Sequence, residues 1–459
     1  MATVGISFGS PTSGQGFDVS STVSQIVANL QAVETPWNSQ LSTLQTQDTA
    51  LTSIGTDLNT LSNALESLTD FEGVLAEKEG SSSDESILQL TSAASSAVAG
   101  SHTIVVSSLA QTSSYYSDAI SSTDILSGSL SLSVGSGSAQ TITLDSSDDT
   151  ISSLADAINS GNYGVTASVI TDGSTQRLSF VSNTSGASGN ITASASLNDT
   201  TTSSTINFTQ AQAGQDAQFA VDGISATSSS NTVSNVIPGV TFQLLSAAPG
   251  TSVQVEITND NTDVESAVSS FVSAYNTVIS DLNTQEGNDA SGNPEPLFGS
   301  PTISTLQDQL QQALDFSQSS GAVTSLTQLG VSVNNDGTLS LDTDTLDSEL
   351  NSNYQDVVNF FQPSGSFTSF GGNLTTVLNN LGNSTPDGVL TLALAENSTQ
   401  ESTLNTNISN ENSLISTQQS SLTTELNEAN YTLEEIPSQI DEVNELYSAI
   451  TGYDENPNG

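Results

Sequence analysis

The sequence predicts an α+β protein: a terminal antiparallel helical coiled-coil leg, with a β-rich two-part head inserted between the N- and C-terminal helices. Two observations carry this prediction. Both ends of the chain bear apolar residues at heptad spacing, and the long middle bears short alternating patterns separated by Gly, Ser, Asn and Asp clusters.

Residues 1 to about 20 are rich in Gly and Ser and have little to bury, so they are expected to order only on assembly. Ile26, Leu30, Val33, Trp37, Leu41 and Leu44 then follow four-three steps. After a polar gap at Gln47 and Asp48 the series resumes through Leu51, Ile54, Leu58, Leu61, Leu65 and Leu68. Pro36 removes one backbone donor and is expected to bend or split this first arm. A Gly-Ser-Ser-Ser-Asp run after Glu79 marks a boundary. From Ile87 to Ile257 the texture is β, as in Leu130, Leu132 and Val134 or Val253, Val255 and Ile257. One helix interrupts it, with Ile151, Leu154 and Ile158 on one face and Asp149 or Thr150 as cap.

Helical spacing returns with Val264, Val268, Phe271, Tyr275, Val278 and Leu282, then with Ile303, Leu306, Leu310 and Leu314. Val331 and Val333, a turn at Asn335, Asp336 and Gly337, then Leu339 and Leu341 read as a hairpin. A helix from about Thr343 to Phe361 precedes the second arm, whose stripe runs through Leu422, Leu426, Ala429, Leu433, Ile436, Ile440, Val443, Tyr447 and Ile450. The expected divisions are a flexible segment over 1–40, a coiled-coil leg over 41–85 and a leg-proximal head domain over 86–112 and 208–262. An outer head domain over 113–207, a helical leg region with the hairpin over 263–400 and a C-terminal coiled-coil helix over 401–459 complete them. Neither arm can bury its stripe alone. Ile26, Leu30, Val33, Trp37, Leu41, Leu44, Leu433, Ile436, Ile440 and Val443 are therefore the candidate docking and oligomer seam, an internal coiled coil being the plainer alternative.

The chain carries 50 acids against two bases, Lys78 and Arg177, for a formal net charge of −48. Charged residues make up 11%, against a usual quarter, so bases have been removed rather than acids added. Acidic surroundings and neutral compositional drift both account for this. In acid the fully protonated chain would carry at most about four positive charges, escaping cationic repulsion. Nucleic-acid binding is excluded, because phosphate contacts need Lys and Arg. No segment is apolar enough to span a membrane, no secretory signal is expected, and no cysteine is present.

Little else points to chemistry, and no cofactor or metal is expected. His102 is the only histidine and opens a strand, which suits a structural role. Asn334 to Gly337 lacks the closing acid of a calcium loop, for Thr343 stands there, so a hairpin turn is the better reading. Asp148 and Asp149 read as helix-start capping rather than paired catalytic carboxylates. Lys78 has no Gly-rich phosphate loop before it.

Gly16, Phe17 and Asp18, followed by Ile26, Val27, Leu30, Glu34 and Pro36, resemble the amino-terminal signature of flagellar filament cap proteins, the hook-associated protein 2 family. Gly100 to Gln111 looks like its first head strand, and Asp216 to Leu245 is similar to a hook-type repeat, with Asp222, Gly223, Ser230, Asn231 and Gly239 in order. Phe271, Val272, Tyr275 and Asn276 match a Phe-Val-x-x-Tyr-Asn helix. Leu297, Phe298 and Gly299, then Leu329 to Asp342, match a Leu-Phe-Gly and a hairpin motif. The scarcity of bases departs from the family, as does the last helix, which contains Pro437. The resemblance implies export through the flagellar type III channel to an extracellular place at the filament tip, and a ring-like homo-oligomer without enzymatic activity. It also implies partners among flagellin and the hook-associated junction proteins, with residues 1–40 docking into the filament. Another filament or junction protein, or an extracellular adhesin, is the alternative; a glycosidase working through two carboxylates ranks below both.

Overall fold

The computed structural model describes residues 16–144, 149–363, 368–382 and 386–452. They divide into two compact units: residues 70–267, here the head, and the two terminal parts 1–69 and 268–459 together, here the leg.

The leg begins with helix α1, Val19–Gln31, whose first turn is capped by Asp18 accepting from Ser21 N at 3.0 Å. Helix α2, Glu34–Thr69, follows directly. Residues 19–40 are thus helical rather than the flexible segment expected, because the cap and an apolar stripe facing another helix hold them. The chain does split near Pro36, but at Ala32 and Val33. Pro36 falls in the first turn of α2, where no intrahelical partner exists for the missing N–H.

In the head, eight antiparallel strands form one sheet in the order Ile224–Ser228, Ala217–Val221, Gly100–Ser108, Val253–Asn259, Lys78–Ser82, Leu88–Ala93, Val240–Leu244 and Thr232–Ser234. Ile104, Val106, Phe219, Phe242, Leu244, Val253 and Val255 point to its buried side, every second residue on each strand. Lys78–Ser82 was expected as the end of the leg. It pairs along its length with Val253–Asn259, because small Gly and Ser side chains fit a crowded sheet centre: a Cβ on Gly80 would strike Leu90.

A second core lies under a four-stranded sheet (Ser204–Ile206, Ile191–Asp199, Leu126–Val134, Gln140–Leu144), a five-stranded sheet and helix α3, Ile151–Ser160. The five-stranded sheet is built around Thr175–Ser185, which pairs with Val165–Asp172 on one side and with Thr112–Ser117 and Ile120–Ser121 on the other; Phe208–Gln212 closes it. Phe208–Gln212 was expected with residues 86–112 in the other head layer, but its register with Thr112–Ser117 places it in this one. Thr150 caps α3 in a reciprocal box with Ser153.

Helix α4, Asn261–Gln285, returns the chain to the leg, followed by α5, Pro301–Leu314, and the hairpin Val331–Val333 with Leu339–Leu341. The single helix expected over 343–361 is two, α6, Thr343–Ser352, and α7, Tyr354–Phe361. Asn353 breaks it at φ −134°, where its N–H closes α6 on Glu349 O at 2.7 Å and its carbonyl starts α7. Helices α8, Phe370–Leu381, and α9, Val389–Thr451, complete the chain. Aromatics are scarce overall, yet Phe271, Phe316, Phe360, Phe361 and Phe370 gather in one cluster, Phe360 stacked on Phe370 at 5.1 Å.

Candidate assembly surface

The two arms of the leg run antiparallel, and their register decides which apolar residues are spent inside the molecule. Helix α1 lies on α9 with Val19 and Val23 buried near Gln419, Thr423 and Asn427, and Phe17 N donates to Asn430 Oδ1 at 2.7 Å. Farther along, Leu44 is buried near Leu404, and Asn397 Nδ2 donates to Asp48 Oδ1 at 2.7 Å. The polar gap in the heptads is therefore a pair of anchors, since Gln47 Nε2 also donates to Pro296 O at 3.0 Å. Beyond it, Leu51, Ile54, Leu58, Leu61, Leu65 and Leu68 are all essentially buried.

The candidate seam residues of the first arm do not lie opposite those of the second. Ile26, Leu30, Trp37 and Leu41 are half-buried and Leu44 buried, on helices that pack against α9; Val33 is exposed at the break between α1 and α2. Leu433 and Ile436 are half-buried, whereas Ile440 and Val443 are exposed. The first arm meets α9 between Asn397 and Asn430, a stretch that reading from Leu422 onward underestimated. Leu404, Ile408 and Ile415 continue the same repeat upstream of Leu422 and were its missed signal.

Past Asn430 the apolar stripe of α9 continues with no described element over it. Val443 is 62% exposed, Leu446 62%, Tyr447 55% and Ile450 76%. From Leu433 to Ile450 the stripe is about 26 Å long at 1.5 Å per residue. Helix α9 passes through Pro437 without ending. The flanking charges, Glu434, Glu435, Asp441, Glu442 and Glu445, are all acidic. A single helix face of this length and spacing is half of a coiled-coil interface.

The remaining candidates are structural. His102 Nδ1 lies 2.8 Å from Asp222 Oδ2, and Thr103 N donates to Asp222 Oδ1 at 2.8 Å. The bond from His102, then that from Thr103, hold the Asp222 carboxyl below the usual carboxylate range. Asp222 and Gly223, at φ 51° and 84°, make the two-residue turn of a hairpin. Asp336 accepts from Thr338 N at 3.1 Å and Gly337 N donates to Asn334 O at 3.0 Å, so this stretch is a turn. The carbonyl of Asp149 accepts from Leu126 N at 2.7 Å; Asp148 lies outside the described residues. Glu77, Asp260 and Asp263 bring carboxylate oxygens within 4.8 Å of one another, with Asp260 Oδ1 accepting from Asp263 N at 3.1 Å in the first turn of α4. No described helix is long and apolar enough to cross a membrane.

The family models for the flagellar hook-associated protein 2 C-terminus and N-terminus match residues 214–449 and 15–113. The flagellin hook IN motif matches residues 129–184, not the stretch Asp216 to Leu245 where a hook-type repeat was expected; that stretch falls inside the C-terminal model. The chain is similar to the B-type flagellar hook-associated protein 2 of Pseudomonas aeruginosa, at 32% identity over 70% of this chain and 74% of the relative. It is also similar to flagellar hook-associated protein 2 of Escherichia coli K12, at 28% identity over 80% of this chain and 84% of the relative. Among solved structures, the D1-D2-D3 domains of the flagellar cap protein FliD from Escherichia coli superpose with a TM-score of 0.56 at 26% identity, covering 76% of this chain and 99% of that one.

Proposed function

The chain belongs to the flagellar hook-associated protein 2 family, and from that premise we propose that it caps the distal tip of the bacterial flagellar filament and promotes folding and insertion of exported flagellin. It works outside the cell, reached by the flagellar export route, and its action is assembly rather than catalysis. Flagellin, the hook-associated junction proteins and further copies of the chain in a ring are its partners.

The observation that carries this reading is the exposed stripe from Ile440 to Ile450 at the end of a leg whose other heptads are already occupied. An apolar face of this kind is costly in water and is covered on assembly. Ile440 and Val443 belong to that docking face. Ile26, Leu30, Trp37 and Leu41 act instead by fixing α1 and α2 on α9, with Leu44 beneath them.

The test is complementation of a motile strain lacking its own cap. The wild-type chain should restore filaments and stop loss of monomeric flagellin to the medium, while Val443→Asp combined with Ile450→Asp should leave flagellin leaking. Full restoration by the double variant would remove the stripe from the mechanism. Light scattering should give several copies for the intact chain and fewer for the double variant.

A further inference from the structure

Two of the chain's three basic side chains are engaged inside the sheet that carries them: Lys78 Nζ donates to Asn259 Oδ1 at 2.8 Å, and His102 pairs with Asp222. The third, Arg177, is exposed on Thr175–Ser185, the strand around which the five-stranded sheet is built. Its Nη1 donates to Ser117 O at 2.8 Å, and its guanidinium carbon lies 5.6 Å from the centroid of the Tyr116 ring. Among the described residues it makes no ion pair. A guanidinium carries five N–H donors in a fork that matches a carboxylate, so donors of this fork face outward with no described acid to meet them.

The face around Arg177 also stands apart in charge. In a chain with 50 acids, the five strands of this sheet contain one, Asp172. Asp172 pairs with Thr175 and Ile170 with Arg177, so Asp172 is the diagonal neighbour of Arg177 on the same face. The guanidinium nonetheless lies over the opposite strand, Thr112–Ser117. Leu178 and Phe180 alternate into the core, which turns Arg177, Ser179 and Val181 outward, with Tyr116 and Ile170 beside them in register. Tyr116, Ile170 and Val181 are exposed. A tyrosine, an arginine and two aliphatic side chains on a face nearly without acids have the composition of a contact surface.

We propose that the outward face of this sheet, centred on Arg177, is a contact between copies of the chain, in which the guanidinium receives a carboxylate of the neighbouring copy. The inference rests on the reading that several copies assemble in a ring. Copies that each carry a formal net charge of −48 repel one another, and acids facing acids across a contact cost affinity, so adjacent copies must meet where acids are few. Charge complementarity then names the occupant. A second copy brings carboxylates in large excess, and Arg177 is the base whose fork is turned toward them. Because one side supplies the base and the other the acid, the two surfaces in contact differ, which is the head-to-tail geometry that closes a ring.

The experiment uses the full chain, followed by light scattering over a concentration series at fixed salt. Wild type is compared with Arg177→Glu, Ile170→Asp and the control Ile224→Asp, an exposed residue on the edge strand of the eight-stranded sheet. The concentration at half-assembly should rise on the order of tenfold for Arg177→Glu, through loss of one charge-assisted contact. It should rise also for Ile170→Asp, which seats a carboxylate opposite Arg177 in register, while Ile224→Asp should match wild type. A second measurement needs no variant. Phenylglyoxal is selective for arginine and Arg177 is the only one, so its adduct there, read by mass spectrometry on wild type, should form more slowly above the half-assembly concentration than below it. Equal adduct rates on both sides of that point, or assembly of both variants like wild type, would overturn the contact and leave the ring standing. If those normally assembling variants then failed to retain flagellin in the strain lacking its own cap, the face would belong to flagellin instead. A wild type that stays a single copy at every concentration would remove the ring and this contact together.

Discussion

The side-chain amide of Asn276 closes on both backbone groups of Leu339: Nδ2 donates to the carbonyl at 2.8 Å and Oδ1 accepts from the N–H at 2.6 Å. Two turns farther along α4, Asn283 Nδ2 donates to Asp336 O at 2.9 Å, so the helix holds the hairpin at its strand and at its turn. Asn276→Ala would leave a part-buried donor and acceptor unpaired, at a cost of about 2–3 kcal/mol. The denaturant midpoint should fall, with amides of Val331–Val333 and Leu339–Leu341 exchanging faster before the rest of the leg does. Unchanged exchange in the hairpin would rule out the clamp.

Asn159 does the same for Ala167, donating to its carbonyl at 2.9 Å and accepting from its N–H at 2.8 Å. Ala167 is central in Val165–Asp172, a strand whose one described strand partner is Thr175–Ser185, and Asn159 occupies its outer edge. Asn159→Ala is expected to cost about 1 kcal/mol and to create a concentration-dependent dimer, seen by light scattering. A monomer at all concentrations would mean that the edge is guarded by something else.

Gly371 sits where the end of α2, the end of α7 and the start of α8 converge, and a Cβ there would collide with Phe361 O and the methyl of Thr69. Gly371→Val should destabilise the leg by more than about 2 kcal/mol through overpacking. Urea unfolding followed at Trp37 would measure it.

Burial separates two kinds of leucine-zipper residue. Leu65, essentially buried, should lose about 2–5 kcal/mol on truncation to alanine. Val443→Asp, on an exposed face, should change the stability of the isolated chain by no more than about 0.5 kcal/mol. Equal losses would show that the end of α9 is covered in the free protein.

Asp222 contributes stability at pH values above its unfolded pKa and loses it as pH falls through its lowered folded value. Asp222→Asn keeps a side chain tolerant of the left-handed turn. It should therefore lower head stability at pH 7 while converging on wild type at strongly acid pH, as measured by thermal unfolding.

Local patterns were legible where one residue type has one physical use. The hairpin at Gly337 and the α3 face of Ile151, Leu154 and Ile158 both follow from short-range geometry. What sequence could not supply was partnership. A heptad says that Leu433 needs a neighbour but not that Asn430 is where the neighbour ends. Lys78–Ser82 was obscured because Gly80 and two serines look like a linker until Leu90 is seen against them. The backbone pairing of Asn159, Asn231 and Asn276 was not legible, since a side chain that imitates a strand leaves no periodic trace; Asn231 pairs with both backbone groups of Ala110.

Lys78 and Arg177 each lie in a strand paired on both sides. They are the only places where trypsin can cut, and a protease needs the chain pulled out into its cleft. The folded protein should therefore pass through trypsin whole, and each cut would report that a sheet has come apart. Tryptic cleavage, followed on a gel, becomes a direct clock for opening of the head, blind to everything that happens in the leg.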